Sequence, residues 1–469
     1  MSEKYAILAT LVVYKLVLLA IGFWATRRTH DATDFYLGGR KLGPWVAAIS
    51  ASASSSSAWT LLGVSGAAFA WGLPALWLFP ATVGGFLINW YYVAPRLATA
   101  SREKGSVTLA EYIASDADFL WRRRILKLTT VIIVFSFSFY VASQFQAAGN
   151  AFASTFELPE IQAILIGAAV ILVYTLLGGF WAVSVTDTLQ GLVMASTAVV
   201  LPIGAFMAVG GPSVLFESLG AISATAGTPG MYTGIAFVGF VAGTLGIGLG
   251  YPGQPHVVNR FMALEDEKAL VGGRRIAIAW AVVVYTGMLL AGLCARVLFA
   301  ASGPGEEAFF ALASSIFHPV VAGVMIAAVL SAIMSTADSQ LLVASSSIAY
   351  DLKGRESHQG LSVARWTVLG VSVVAVLLAI LAPEAIFERV LFAWHAIGSA
   401  FGPLVVLMLA GRVVKPWAVV ATLATGFGLT VVLHWQPDTP GDFAERLIPL
   451  FVAFAVAWYG SVRCVSRNA

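Results

Sequence analysis

Charge is what this chain has least of. Only 11% of its 469 residues are Asp, Glu, Lys or Arg, less than half of the roughly 25% that soluble domains carry. A soluble globular protein is thereby excluded. Cysteine is nearly missing too: Cys294 falls inside an apolar stretch and Cys464 near the carboxyl end, so neither a disulfide framework nor a cysteine metal site can be built. A phosphate cradle is also lacking, because the glycine-rich stretch after residue 246 follows no strand and has no Lys-Ser or Lys-Thr behind it. No Ser, His and Asp arrangement suggests a hydrolase. The formal net charge of +3 speaks for no nucleic-acid partner.

What is abundant is apolar sequence, with 59% hydrophobic residues and a mean hydropathy of +0.86. Thirteen stretches read as membrane spans: 5–26, 45–70, 74–93, 128–152, 160–177, 188–209, 233–256, 276–300, 319–350, 366–381, 390–410, 416–434 and 447–462. As helices of about 20 residues they match a hydrocarbon thickness of about 30 Å. The expectation is an all-α polytopic membrane protein in a single transmembrane domain, with the lipid bilayer as its surroundings. The first stretch is too long for a signal-peptide core and is kept as structure. Lys and Arg crowd one set of loops, from Arg40 and Lys41 through Arg96, Arg102, Lys104 and Arg122 to Arg260, Lys268, Arg274, Arg412 and Lys415. Positive charge is retained on the cytoplasmic side, which puts the amino terminus outside and, with an odd span number, the carboxyl terminus in the cytoplasm.

Two spans are interrupted near their middles. Ser50-Ala51-Ser52-Ala53-Ser54-Ser55-Ser56-Ser57 crowds hydroxyls into an apolar segment, and serine competes for its own backbone and loosens a helix. Gly246-Ile247-Gly248-Leu249-Gly250-Tyr251-Pro252-Gly253-Gln254-Pro255 breaks the second, since proline removes a donor and glycine tolerates non-helical angles. Paired broken helices point to a secondary-transporter site. Five spans separate the breaks, and an odd number inverts one repeat against the other. Repeat one is expected over 45–209 and repeat two over 233–410, with 5–26, 416–434 and 447–462 peripheral.

Ionisable residues inside spans are functional candidates by default. Asp187 reads either as a helix N-cap completed by Gln190 or as an ion-path carboxylate. Asp338 lies mid-helix beside Ser335, Thr336 and Ser339, where oxygens could serve a hard cation or an interhelical hydrogen bond. His395 reads as a structural or a cavity-lining group, and Lys15 as a paired or snorkelling residue of a peripheral span. Asp187 and Asp338 as an intramembrane protease pair is the minor alternative.

Leu37-Gly38-Gly39-Arg40-Lys41-Leu42-Gly43-Pro44, Gly178-Gly179-Phe180, Val185-Thr186-Asp187, Gly248-Leu249-Gly250-Tyr251, Gly253-Gln254-Pro255-His256, Arg260-Phe261-Met262-Ala263, Met334-Ser335-Thr336 and Ala400-Phe401-Gly402-Pro403 occur in order. By these motifs the chain resembles the sodium:solute symporter family, closest to its bacterial sodium/proline symporters. The resemblance implies a LeuT-like core of two inverted five-helix repeats in the cell (inner) membrane, and no enzyme. It implies Na+ as coupling ion, ahead of protons, held by carbonyls of Ala53, Ser56 and Ala332 and hydroxyls of Ser335 and Thr336. A second ion site or ion path would use Asp187, Asp338 and Ser339. The solute would sit by Ser57, Trp59, Tyr140, Tyr251 and Pro255. The proline branch carries an aspartate where this chain has Ser55 and a tryptophan where it has Ile247, so the charge at the ion and one wall of the solute pocket differ.

The expected function is Na+-coupled import of a small organic solute, an amino acid of proline-like kind, with no obligate protein partner. A symporter of monocarboxylates or other carboxylated metabolites is the alternative. A transporter-like sensor is the rival from another class, and with the chain ending at Arg463-Cys464-Val465-Ser466-Arg467-Asn468-Ala469, sensing would need a separate partner.

Overall fold

The computed structural model describes residues 3–26, 37–176, 180–225, 232–299, 305–352, 360–382 and 384–463. Gly178, Gly179, Cys464 and Arg467, which the sequence reading names, lie outside them. Helix dominates. The chain opens with α1 (Glu3–Thr26), then α2 (Pro44–Ser55) and α3 (Val64–Trp71), which are the halves of the first broken span joined by a π turn at Trp59–Gly63. Helices α4 (Leu78–Leu87), α5 (Ala94–Glu103) and α6 (Leu109–Ile113) lead to the long α7 (Phe119–Phe156) and to α8 (Glu160–Thr175) and α9 (Phe180–Val209). After α10 (Pro212–Thr225) come α11 (Ile235–Leu249) and α12 (Pro255–Met262), the second broken pair. Then follow α13 (Glu267–Leu298), α14 (Ala308–Ile316), α15 (Pro319–Ser346), α16 (Gly360–Leu381), α17 (Ile386–Leu409), α18 (Pro416–His434) and α19 (Phe443–Tyr459). Strands β1 (Arg412–Val414) and β2 (Ser461–Arg463) pair antiparallel beyond α17 and α19.

Nine helices among the described residues are long and apolar enough to cross a membrane. Helix occupies every one of the thirteen expected stretches, but the first broken span is divided, and α8 and α19, at 16 and 17 residues, are short. Three boundaries differ from expectation with consequences. Helix α9 starts at Phe180 rather than 188, so Asp187 is two turns inside it and is no N-cap. Helix α12 continues to Met262, because Pro255 at its first position starts a new helix rather than ending an old one. Arg260, counted by sequence among inner-loop cations, therefore belongs to a buried helix. The short helices α10 and α14 fill loops in which no helix was expected.

Both breaks are satisfied locally, as a buried backbone requires. At the first, Ser55 Oγ bonds back to Ser52 O at 2.9 Å, the Ala58 amide reaches Gln144 Oε1 of α7 at 3.1 Å, and the Trp59 amide reaches Ser57 Oγ at 3.1 Å. At the second, Gln254 Nε2 donates to Gly250 O at 3.2 Å and to Trp394 O of α17 at 2.8 Å. Glycine is needed here for close approach: a Cβ on Gly253 would stand 2.7 Å from Gly402 N and 2.8 Å from Gly398 O. The core gathers around these breaks, with α9 packed on α2, α13 and α15, and α1 laid against α9 and α15.

Candidate ion and solute site

The carboxyl end of α2 faces the middle of α15. Ser335 Oγ lies 3.2 Å from Ala53 O and 3.2 Å from Ala332 O, while Thr336 Oγ1 donates to Ser54 O at 3.1 Å. The Ser56 amide also bonds Ala53 O, at 3.2 Å. Of the five proposed ligands, Ala53, Ala332 and Ser335 thus converge directly, Thr336 meets the neighbouring carbonyl, and Ser56 adjoins through its backbone. The end of α2 at Ser55 is what frees the Ala53 and Ser54 carbonyls for these contacts. All five residues are fully buried. An oxygen-only set without carboxylate suits a hard monovalent cation, and among the described residues no His, Cys, Asp and Glu cluster could hold another metal.

One turn towards the α12 side lies a second cluster. Asp187 Oδ2 accepts from Ser50 Oγ at 2.8 Å, from Ser54 Oγ at 3.2 Å and from Arg260 Nη2 at 2.9 Å. Arg260 also donates through Nε to Ser50 Oγ at 3.0 Å, through Nη2 to Ser339 Oγ at 2.6 Å, and through Nη1 to His256 O. Ser54 Oγ sits 3.0 Å from Ser339 Oγ and joins this cluster to the first. Asp187 and Arg260 are 0% and 2% exposed, so four helices hold an ion pair out of water. The structure brings Asp187 and Ser339 together and sets Asp338 apart. Asp338 Oδ1 accepts from Thr175 of α8, on the face of α15 adjoining that of Ser335.

On the other side of the breaks, Ser57 Oγ accepts from Tyr140 OH at 3.3 Å. Trp59 leans on Phe387, with centroids 5.5 Å apart, and Tyr251 packs on Trp394 at 4.7 Å. Pro255 opens α12, and the next residue, His256, is ringed by Phe137 and Tyr140. Trp59 Nε1, Gln254 Oε1 and both His256 nitrogens are buried with no hydrogen-bond partner in the structure. Such atoms are costly unless a ligand satisfies them. The Trp394 indole, donating to Ile247 O at 3.1 Å, supplies from α17 an aromatic wall beside the position where the proline branch has its own tryptophan.

Sequence reasoning missed two residues. Arg260 could have been found by starting a helix at Pro255, which carries it one and a half turns inward. Tyr285 of α13 had no signal, being one aromatic in an apolar span. Its hydroxyl lies 3.4 Å from Ser56 Oγ, 3.3 Å from Thr60 Oγ1 and 3.3 Å from Tyr251 OH, bridging the two breaks.

A cavity of about 510 Å³ opens on the Arg- and Lys-rich face, lined by Lys104, Glu111, Arg122 and Asp351 among others. A fissure of about 10 Å³ between Thr108, Asn259, Arg260, Ser339 and Ser346 lies inward of it, and Thr108 donates to Asp351 Oδ1 at 2.8 Å. On the opposite face, a vestibule of about 270 Å³ is floored by Trp71 and Phe387 and carries Glu306 and Glu388.

The chain is similar to known proteins over nearly its whole length. The chain is 35% identical to the osmoregulated proline transporter OpuE of Bacillus subtilis over 463 residues, 96% of this chain and 93% of that one. It is also 35% identical to the sodium/proline symporter of Escherichia coli over 468 residues, covering 96% and 92%. In fold it resembles a Na+-coupled sialic acid symporter in a substrate-bound outward-open state, with a TM-score of 0.78 at 18% identity over 98% and 99% of the two chains. MhsT in complex with L-phenylalanine follows at a TM-score of 0.54 and 12% identity, over 89% and 98%. The profile described as "Sodium:solute symporter family" matches residues 35–424, and the chain belongs to that family.

Proposed function

We propose that the protein imports a small zwitterionic amino acid of proline-like kind, driven by Na+ moving inward, by alternating access around the two breaks. The observation that carries this reading is the meeting of Ala53 O, Ala332 O and Ser335 Oγ between a broken and an unbroken helix. The names of relatives covering nearly the whole chain at 35% identity support the solute class. In this reading the chain crosses the membrane thirteen times, with two inverted repeats over 45–209 and 233–410, its amino terminus outside and its carboxyl terminus inside. Na+ is held by Ala53, Ser56, Ala332, Ser335 and Thr336, and Asp187 with Ser339 lines its inward path. Ser57, Trp59, Tyr140, Tyr251 and Pro255 face the solute. Where ionised, Glu306 and Glu388 on the vestibule wall repel net negative charge and attract an ammonium, which favours a zwitterion over a monocarboxylate.

Uptake of labelled amino acids and carboxylates into proteoliposomes, under imposed Na+ or proton gradients, tests the proposal. Na+-driven accumulation of proline or a near relative is expected. Accumulation driven only by protons rejects the coupling ion, and no accumulation of any solute favours the sensor.

The inner ends of the broken helices are tied by Arg40. It donates to Ser101 Oγ at 3.1 Å, Ser101 O at 3.3 Å, Ser106 O at 2.7 Å and Met262 O at 3.0 Å. Hydrogen bonds to a charged group contribute about 1.5–3 kcal/mol each. Arg40→Ala is expected to loosen the inner closure, lowering the initial uptake rate severalfold and raising the half-saturating solute concentration, as read from rate against external solute.

A further inference from the structure

Helix α1 turns a polar face inward. Leu11, Tyr14, Lys15 and Leu18 recur at helical spacing, with Leu11 and Leu18 buried, and this stripe lies on α15. Tyr14 OH meets Ser331 Oγ at 2.5 Å, and Lys15 Nζ lies 2.7 Å from Met334 Sδ. Met334 is one helical turn before Asp338, so the three residues Ser331, Met334 and Asp338 share the α15 face that looks at α1 and α8. Ser335, Thr336 and Ser339 occupy the adjoining face, towards α2.

Asp338 is 1% exposed. Its Oδ1 is bonded by Thr175, and its Oδ2 has no hydrogen bond in the structure. A buried carboxylate with only a hydroxyl for company is expensive. The Lys15 ammonium reaches this face of α15 at Met334, one helical turn from Asp338, and an ammonium near such a carboxylate is the chemistry that offsets its burial. The expectation that Asp338 supplies the ion site with a carboxylate meets a geometric objection, since its one hydrogen bond is to Thr175 of α8 rather than to Ala53 or Ser335.

We propose that Lys15 is the counter-charge of Asp338, and that this intramembrane pair makes α1 a positioning element of the ion-binding helix, setting the electrostatic potential at the Na+ site from one turn away. Asp338 does not ligate the ion. The inference rests on the Na+-coupled reading above.

The two charges act oppositely on a nearby cation. Lys15→Met leaves an uncompensated carboxylate and is expected to lower the half-saturating Na+ concentration, whereas Asp338→Asn leaves an uncompensated ammonium and raises it, each by at least about threefold in a partly shielded interior. The double variant K15M/D338N returns to within about twofold of the unaltered protein, because the net charge at the interface is the same. Na+ titration of uptake in proteoliposomes reads all three. If Asp338 is an ion ligand, Asp338→Asn and the double variant lose Na+ affinity equally and Lys15→Met does not, and the proposal falls. If no variant shifts the Na+ dependence, the pair does not act on the ion site, and the proposal falls as well. Thermal unfolding of the detergent-solubilised proteins separates this from failure of the transport reading. Each single variant is expected to melt lower and the double variant to recover, and a double variant melting no higher than the singles overturns the pairing even where no uptake is measured.

Discussion

Arg260→Met is expected to abolish transport and to lower the melting temperature of the purified protein more than any other single substitution in the polar clusters. Removing one partner of a buried pair leaves the other charge unpaired, at a cost of about 3–5 kcal/mol. Here the remaining partner is Asp187, 0% exposed, and the same guanidinium also holds Ser50, Ser339 and the His256 carbonyl. Those contacts come from α2, α9, α12 and α15, so one substitution unties both broken helices from the scaffold. The paired substitution D187N/R260M discriminates stability from mechanism. It is expected to regain much of the lost melting temperature, because replacing both charges is far cheaper than stranding one, yet to remain inactive if Asp187 lines the ion path. Recovery of uptake along with stability would show the pair to be structural. Thermal unfolding and initial uptake rates, measured on the same preparations, check both statements.

Ser335→Ala is expected to raise the half-saturating Na+ concentration at least about tenfold, equivalent to about 1.4 kcal/mol, while changing the solute affinity at saturating Na+ little. Its hydroxyl is the one side-chain oxygen within 3.2 Å of both Ala53 O and Ala332 O, and a methyl group offers no oxygen in its place. Ser57, Tyr140 and Tyr251, proposed above to face the solute, bond to other partners, so the two effects are separable. Na+ titrations at fixed solute, compared with solute titrations at fixed Na+, make the measurement. An unchanged Na+ dependence would remove Ser335 from the ligand set.

Both breaks were legible in the sequence because their causes are local: hydroxyls that compete for backbone around Ser54, and Gly and Pro around residue 250. The face shared by Ser335 and Ser339 was legible from helical spacing. Asp187 was ambiguous because a capping pattern and a mid-helix carboxylate look alike until it is known that helix already runs from Phe180. Arg260 was read as a loop charge because hydropathy cannot distinguish an arginine in water from one neutralised by a partner 73 residues earlier. For Asp338 the helix was legible and the Thr175 contact from α8 was not, since spacing alone does not say which helices stand on either side. Tyr285 was invisible because its importance lies wholly in three contacts distant in sequence.

At Gly253, Gly398 and Gly402, main chain lies on main chain with no side chain between. Where side chains interlock like gear teeth, displacement along a helix contact requires them to change rotamer against a dense interior. A contact of bare backbone has no teeth. At this one point the second broken helix meets α17 on a smooth bearing, beside the Trp394 side chain that Tyr251 packs on, and small sliding of packed helices is one way such folds move. A methyl group at Gly253 would act as a brake there, slowing turnover as well as straining the resting fold.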